Sequence, residues 1–534
     1  MKKIILVSAI SFIASWVYGQ GEMDAFKLSN NDLLGSARGI AMGGAFGALG
    51  GDVTGVAQNP AGIGVYRSSE IVGTLDFSSV NTESNTLGSI AKDSKFNFNF
   101  DNITYIGYTP LTGDVKSLNF GFAYNRLKNF GRNYQATGNK LQSSLTDYIA
   151  NYTTRKVNVS AEELNANDSY KDFPWLSVLG YQGGLINDDG YNYISPLTGP
   201  QATREDGVLQ TVDRIYSVSE LGHIDTYDFT MGANILDVLY LGLTLSITDM
   251  RYNLNSRHTE EFERGEHFEG GGFDLDNVLE TSGSGYKVSV GAIYRPIDEL
   301  RIGVAYHSPT WYSLNDYYFA RTDYEGWLLD DSEWVWTGLR ANTPENATAD
   351  YRLNTPDRWV LSVAGVLGKT AILSLDYEYS DYSGMKLEDA YVGGFNSSFR
   401  EQNKFISEDF TGASTLKVGF EYRVTPQLAL RAGYTWMQSP LKESFKAGKT
   451  EVFPVGTISA YTLDGDVNYF SYGIGYRFTP TFYMDLAFSF KTQTNQLYTY
   501  SPVYNDNGVL EINPFASELK NNTTKGLLTF GYKF

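Results

Sequence analysis

Cysteine is absent from the 534-residue chain, which excludes disulfides, thiolate metal centres and a lipid-modified cysteine as an anchor. Histidine is scarce at four residues, and no Gly-x-Ser-x-Gly passage occurs, so there is little material for nucleophilic or metal-based catalysis. Beyond the first nineteen residues there is no apolar run of about 18 residues, the length that marks a spanning helix. With 19% charged residues and a mean hydropathy of -0.28, the chain conceals no helical membrane protein. Basic residues are also in deficit: 42 Lys and Arg face 61 Asp and Glu, for a formal charge of -19. That sign opposes nucleic acid as a partner.

Aromatic residues and glycine are abundant, with 39 Tyr, 31 Phe and 54 Gly. This is the composition of long strands, close backbone contacts and aromatic girdles at a membrane interface. At the N-terminus, Lys2 and Lys3 precede an apolar stretch from Ile4 to Val17 and then Val17-Tyr18-Gly19. The stretch is short for a spanning helix, which needs roughly 20 residues. It has the build of a secretory signal, expected to be cut after Gly19, so residues 1–19 are assigned as a signal peptide. The charge becomes -21 once Lys2 and Lys3 leave with it.

Period-2 alternation recurs along the rest of the chain. Leu416, Val418, Phe420, Tyr422 and Val424 share one face of a strand, with Lys417, Gly419, Glu421 and Arg423 on the other. Leu428 to Trp436 and Phe482 to Phe490 divide in the same way. These runs reach ten residues or more, beyond the five or six usual in soluble sheets, and their second face is polar and glycine-rich. A transmembrane barrel satisfies that pattern by turning its apolar set to lipid. Strands are expected near 71–79, 96–109, 116–134, 223–235, 239–254, 282–296, 299–317, 355–367, 370–381, 411–424, 427–438, 468–478, 481–496 and 523–534. Short connections at Pro110–Asp114, Pro296–Asp298, Gly368–Lys369, Thr425–Pro426 and Thr479–Pro480 alternate with long ones, the asymmetry of periplasmic turns and external loops. The fold expected is all-β: a transmembrane antiparallel barrel of about 14 strands over residues 70–534, located in the cell outer membrane.

An even strand count puts both barrel ends on the periplasmic side, so residues 20–69 belong in or under the barrel mouth. Their passage Ser36 to Asp52, followed by Ala57-Gln58-Asn59-Pro60-Ala61-Gly62, is rich in small residues that let backbone lie close to a wall, as a plug requires. Gly43, Gly44 and Gly47 follow no strand of a βαβ unit, against a phosphate-cradling loop. The largest external loop is expected at about 135–222. It carries a helix-like stretch near Leu145 to Asn151 and an apolar passage, Phe173-Pro174-Trp175-Leu176-Ser177-Val178-Leu179-Gly180-Tyr181. Such a passage either packs the loop on its neighbours or forms a contact surface.

The passage Ala37 to Ala48 with Asn59-Pro60-Ala61-Gly62 resembles the N-terminal hatch of the FadL-type outer-membrane transporters of long-chain fatty acids and other hydrophobic compounds. Pro296 to Pro309, Thr355-Pro356-Asp357, Leu430 to Tyr434 with Gln438-Ser439-Pro440, and Gly473 to Phe478 resemble barrel hairpins of the same family. The resemblance implies a fourteen-stranded barrel plugged by the hatch, with Gly43, Gly44, Asn59, Pro60 and Ala61 as hatch motif. It also implies passive passage of an apolar ligand, sideways into the membrane through an inward kink in the third strand. In this chain the alternation of Leu118, Phe120, Phe122 and Tyr124 breaks at Lys128 to Asn133, where a kink or an ordinary exit into the loop both fit.

Candidate ligand contacts are Phe26, Leu28, Met42, Phe46 and Leu49 in the hatch and Phe173, Trp175 and Leu176 in the loop; packing is the competing use of each. For an acidic headgroup, inward-facing Lys287, Arg301, Lys417 and Arg431 are available, although Asp376, Glu378, Glu421 and Asp485 on the same face invite ion pairing instead. His258 and His267 lie among Glu260, Glu261, Glu263, Glu266 and Glu269, a charge-rich loop tip read as solvated rather than metal-binding. No cofactor, metal or enzymatic activity is expected. The partners expected are a hydrophobic small molecule, outer-membrane lipid and, through a final strand with Leu528, Phe530, Tyr532 and Phe534 on one face, the outer-membrane assembly machinery. A second reading has the long loops bind a protein or surface in assembly or adhesion, and haem-related uptake is a third.

Overall fold

A computed structural model of the chain describes residues 21–197, 210–263, 270–330, 333–368, 370–390, 398–453 and 455–534. The expected signal peptide lies outside the described residues, as do Glu266, His267 and Glu269 of the acidic loop tip.

Alternation produces a closed antiparallel barrel of fourteen strands. They are β1 (Glu70–Thr86), β2 (Ser89–Pro110), β3 (Val115–Asn129, resumed as Arg132–Leu141), β4 (Val212–Ile235), β5 (Leu239–Phe262), β6 (Gly272–Ile297) and β7 (Leu300–His307, resumed as Trp311–Asp330). The circuit continues with β8 (Ala347–Asn354, resumed as Arg358–Leu367), β9 (Ala371–Asp381), β10 (Gly412–Arg423), β11 (Leu428–Met437), β12 (Tyr461–Arg477), β13 (Phe482–Tyr498) and β14 (Ser517–Lys533). β14 pairs with β1 along its length, Tyr532 opposite Ile71 and Leu528 opposite Leu75, so the sheet closes on itself as a lipid-embedded sheet requires. On β5, Leu241, Leu243, Leu245 and Ile247 are exposed to the lipid side, while Thr244, Ser246 and Thr248 are buried toward the lumen.

Two loop expectations are corrected. Residues 80–95 do not form a loop: β1 and β2 stay paired out to Thr86 opposite Ser89, and Leu87 (φ 51°) and Gly88 (φ 94°) close a two-residue turn. Positive φ at both central residues suits the right-handed twist of the flanking strands. The apolar outward set gives way there to Asn81, Glu83 and Asn85, so the sequence signal ends although the main-chain ladder continues. The first external connection is therefore tight, not long. Similarly, the loop expected at 135–222 shortens to 142–211, because β3 runs to Leu141 and β4 starts at Val212.

Within that loop the helix-like stretch is a helix, Leu145–Tyr152, started by Ser144, whose side chain accepts from the Thr146 amide while Asp147 accepts from the Ser144 amide. The apolar passage forms a second helix, Trp175–Gln182, with Leu176, Val178 and Leu179 fully buried. It packs into one apolar core with Ile149 of the same loop and with Phe399, Ile406, Phe410, Phe445 and Tyr500 from other external loops. The passage is thus packing, and the outer end of the barrel is filled with apolar side chains.

The segment from residue 21 to residue 69 occupies the lumen as three short helices, Glu22–Ser29, Ala37–Ala41 and Val53–Gln58, and a 3-10 turn at Pro60–Val65. Wall glycines make room for its main chain: a Cβ at Gly433 would lie 2.0 Å from the Gly43 nitrogen, and one at Gly303 would lie 2.4 Å from the Gly47 oxygen. Inward polar side chains complete the seat. The Asn59 amide donates to the carbonyls of Gly47 (2.8 Å) and Ala292 (3.2 Å), Thr435 Oγ1 donates to the Gly43 carbonyl at 2.6 Å, and the Gly47 amide donates to Asp376 at 2.8 Å. Gly433→Leu is expected to push the segment off β11 at a cost of about 1–3 kcal/mol, as overpacking does. Single-channel conductance should rise while β-sheet circular dichroism is retained; unchanged conductance would count against a seated plug.

Candidate functional site

The third strand carries the main irregularity of the barrel wall. β2 and β3 pair from Pro110 opposite Ser117 to Asn102 opposite Asn125, and strand pairing stops there. On its other edge β3 keeps its partner, with Arg126 opposite Asp225, Lys128 opposite Ile224 and, past the break, Arg132 opposite Glu220. Leu127 is the extra residue of a bulge that re-aims the strand. The outer half of β3 therefore turns inward and lies on the inner face of the β1–β2 hairpin, where Thr82 Oγ1 donates to the Asn133 carbonyl (2.8 Å) and Ser84 Oγ to the Gln135 carbonyl (2.6 Å). β4 can follow because Gly222 has φ +117°, and a Cβ there would lie 2.1 Å from the Arg251 oxygen. The kink expected at Lys128 to Asn133 is present, and it leaves a seam between β2 and β3.

A cavity of about 190 Å³ lies behind the kink. Phe26 and Met23 from the first helix, Phe130 and Tyr134 from the kink, Leu254 of β5 and Leu279 of β6 supply apolar surface. Glu220 sits on its wall between two cations, 3.1 Å from Lys27 Nζ and 2.5 Å from Arg132 Nη2, and accepts from the Tyr252 hydroxyl at 2.8 Å. A second cavity, of about 160 Å³, shares Phe26, Asn30 and Asp32 with the first and is more polar, with Lys287, His307 and Arg358 on its wall. Phe26 thus stands between the two spaces. The first helix is tied to the kink: Lys128 Nζ donates to the carbonyls of Lys27 and Asn30, both at 2.8 Å, and the Asp32 amide donates to the Leu127 carbonyl at 3.2 Å.

Of the candidate ligand contacts named from sequence, Phe26 alone lines these cavities; Pro60 of the hatch motif and the cations Lys287 and Lys417 line the more polar one. Leu28 is buried in the outer apolar core, and Met42, Phe46 and Leu49 form a small cluster with Ala364 at the wall. Trp175 packs on Tyr170 and Tyr318, with Leu176 buried and Phe173 half-buried beside them, remote from both cavities. Among the four inward cations, Lys417 pairs with Glu378 (2.5 Å), Arg431 pairs with Glu421 (2.7 Å) and Asp485 (2.6 Å), and Arg301 donates to the Leu49 carbonyl. Lys287 has no hydrogen bond or ion pair among the described residues and faces the polar cavity. His258 lies 2.9 Å from Glu260, both buried.

Sequence reasoning missed Phe130, Tyr134, Leu254 and Leu279. The last two had a legible signal, since Met250, Tyr252 and Leu254 on β5 and Phe273, Leu275 and Leu279 on β6 are apolar residues on a face that is otherwise polar.

The helix Glu22–Ser29 carries a titratable group at its contact with the outer loops. Burial pushes the Glu22 carboxyl up to about 7, reinforced by the charges of Asp409 and Asp24. Asp409, at the end of the loop helix Arg400–Asp409, is raised to about 6, first by burial and then by Glu408. Folding thus favours the protonated forms, so this contribution to stability is complete below the ordinary carboxyl range and is lost as pH rises through 6 to 7. Amide exchange of residues 22–30, corrected for its intrinsic rate, should be faster at pH about 8 than at about 5.5, and Glu22→Gln should abolish most of the difference. Equal protection at both pH values in the unmodified chain would contradict this.

A closed fourteen-stranded barrel with a filled lumen and a broken third strand defines an outer-membrane β-barrel transport protein. Residues 235–508, just over half of the chain, match the outer membrane protein transport protein family (OMPP1/FadL/TodX), and the chain belongs to that family. The matched segment contains all four of the barrel passages that carried the resemblance, whereas the hatch passage precedes it. The 47 kDa outer membrane protein of Pasteurella multocida is 25% identical over 205 residues, 38% of this chain and 43% of that protein. Outer membrane protein P1 of Haemophilus influenzae is 24% identical over 209 residues, 39% of this chain and 38% of that one. The chain thus spans about two fifths of the length of these curated relatives. Among solved structures, a deltaS2 mutant of the TodX monoaromatic hydrocarbon channel aligns over 94% of this chain and 100% of its own, at 13% identity and a TM-score of 0.50. The Pseudomonas putida toluene transporter TodX aligns over 94% and 99% at 12% identity and a TM-score of 0.49. At such identities the likeness concerns the fold alone.

Proposed function

We propose that this protein carries hydrophobic small molecules, long-chain fatty acids among them, passively across the outer membrane. The molecule enters from the external loops, rests in the cavity behind the kink and leaves sideways into the bilayer between β2 and β3. The observation that carries this reading is the coincidence of an apolar-walled cavity with the one stretch where β2 and β3 lose their ladder. An apolar chain gains from leaving water for such a cavity, and a lateral exit spares it renewed hydration in a polar lumen. The Lys27, Arg132 and Lys128 side chains near the cavity suit an acidic headgroup, and Lys287 in the polar cavity offers a second cation. The TodX variant of similar fold is a monoaromatic hydrocarbon channel, so aromatic hydrocarbons such as toluene belong in the same trial.

A protein-docking role for the loops finds little support in the apolar passage Phe173 to Tyr181, much of which is buried in the helix Trp175–Gln182 rather than displayed.

The test is uptake of radiolabelled oleate and toluene by a Gram-negative host that lacks its own transporter of this family. Expression should raise initial uptake of at least one of them above the empty host. Phe26→Arg, which places a charge between the two cavities, should lower that rate by roughly tenfold, the scale of a few misplaced contacts. Uptake no different from the empty host would overturn the proposal.

A further inference from the structure

Where the ladder between β2 and β3 ends, side chains take its place. Asn97 Nδ2 donates to the Gly131 carbonyl at 3.0 Å, and Asn99 Oδ1 accepts from both Arg126 Nη1 (2.8 Å) and Asn129 Nδ2 (3.0 Å). Lys95 Nζ reaches Asn133 Oδ1 at 3.2 Å and the Glu220 carbonyl at 3.1 Å. All three β2 residues point inward, whereas Phe96, Phe98 and Phe100 between and beside them are exposed on the lipid side. The seam therefore lies at the level of the lipid-facing aromatic residues, with the cavity directly behind it.

We propose that Asn97, Asn99 and Lys95 form a side-chain latch across this seam, and that its release is the step that opens the lateral path. The proposal rests on the lateral exit argued above and adds what holds it closed in this chain. Both neighbouring edges are fixed: β1 and β2 remain paired through the whole stretch, and β3 remains on β4 on either side of the kink. Opening the seam thus breaks no strand ladder. It requires rotamer changes in long polar side chains, which are fast compared with unpairing a strand, while the Thr82 and Ser84 hydrogen bonds hold the outer half of β3 on the hairpin. The latch is also incompletely satisfied, because the buried Asn99 Nδ2 has no hydrogen-bond partner among the described residues, which disfavours the closed arrangement relative to a full ladder. Arg126 is held independently, by Asp225 at 2.9 Å, so the latch separates at Asn99 rather than by swinging the arginine away.

A chain without cysteine allows the seam to be stapled selectively. A Cβ at Gly131 would lie 3.0 Å from Asn97 Cγ, within reach of a disulfide, and Gly131 has no positive φ to forbid a side chain. In the double variant Asn97→Cys with Gly131→Cys, oleate uptake by whole cells should fall by about tenfold or more on oxidation and recover on reduction, as expected when a gate is locked. Oleate binding to the purified variant should be equal in its two redox states. Equal uptake in both states would overturn the latch and leave the transport reading intact. Asn97 and Gly131 border the cavity, so loss of binding together with uptake on oxidation would mean that the staple closes the cavity rather than the seam, and would also overturn it. Asn99→Ala supplies a second measurement should the double variant not fold: faster uptake than the unmodified protein is expected, and no acceleration would refute the latch. Absence of uptake of both oleate and toluene by the unmodified protein would instead overturn the transport reading itself, and where toluene alone is taken up the same comparisons are made with toluene.

Discussion

The main chain of the lumenal segment has to be satisfied inside a barrel whose wall strands spend most of their main-chain groups on one another, and the rest of the structure depends on how this is met. Buried N–H and C=O groups left without partners are costly, and water has little room between two surfaces in contact. The wall answers in two ways. Glycines such as Gly433 and Gly303 let the two backbones approach, and inward Asn, Asp, Thr and His side chains reach the polar groups that remain. Asn119, for instance, donates to the carbonyls of Ile63 and Tyr66, and the Ala37 amide donates to Thr529. The partners come from strands all around the barrel, so the segment is positioned by the closed circuit rather than by any one neighbour.

Seating the segment in this way places its first helix against the third strand. The hydrogen bonds from Lys128 and Asp32 join helix and strand next to the Leu127 bulge, so the kink and the helix hold each other in place. A bulge on one edge would normally be repaired by the neighbour following it. Here β4 follows, with Gly222 absorbing the bend, while β2 stays with β1. The break is therefore one-sided, and an apolar-walled cavity lies behind it.

Charge in the lumen is arranged to stabilise rather than to attract freely. Arg38 of the hatch and Arg431 of β11 share Glu421, Arg431 also reaches Asp485, and Gln58 lies within 2.9 Å of Lys417. Removing one partner from such a buried set leaves an uncompensated charge, which is why these residues tie the hatch to the wall. At the outer end the problem is reversed: the external loops contribute apolar residues that pack on one another and close the barrel mouth with a core of their own.

The amino-acid sequence by itself determined the barrel, its strand number, the short connections on one side and the location of the protein. These follow from period-2 alternation and turn chemistry, which are local properties of the chain. It also marked the glycine-rich passage as a plug and Lys128 to Asn133 as a break in the pattern. Only the tertiary structure decided that residues 80–95 are a hairpin, since paired strands outside lipid need no apolar face. Only the tertiary structure brought Phe26, Phe130, Leu254 and Leu279 around one space, because a cavity wall is assembled from strands far apart in the chain and each contributes a single residue to it. The same holds for the inward cations: alternation said that they face the lumen, but their partners lie on other strands, and cross-barrel distances decide which charge is spent on an ion pair and which, like Lys287, is left facing a cavity.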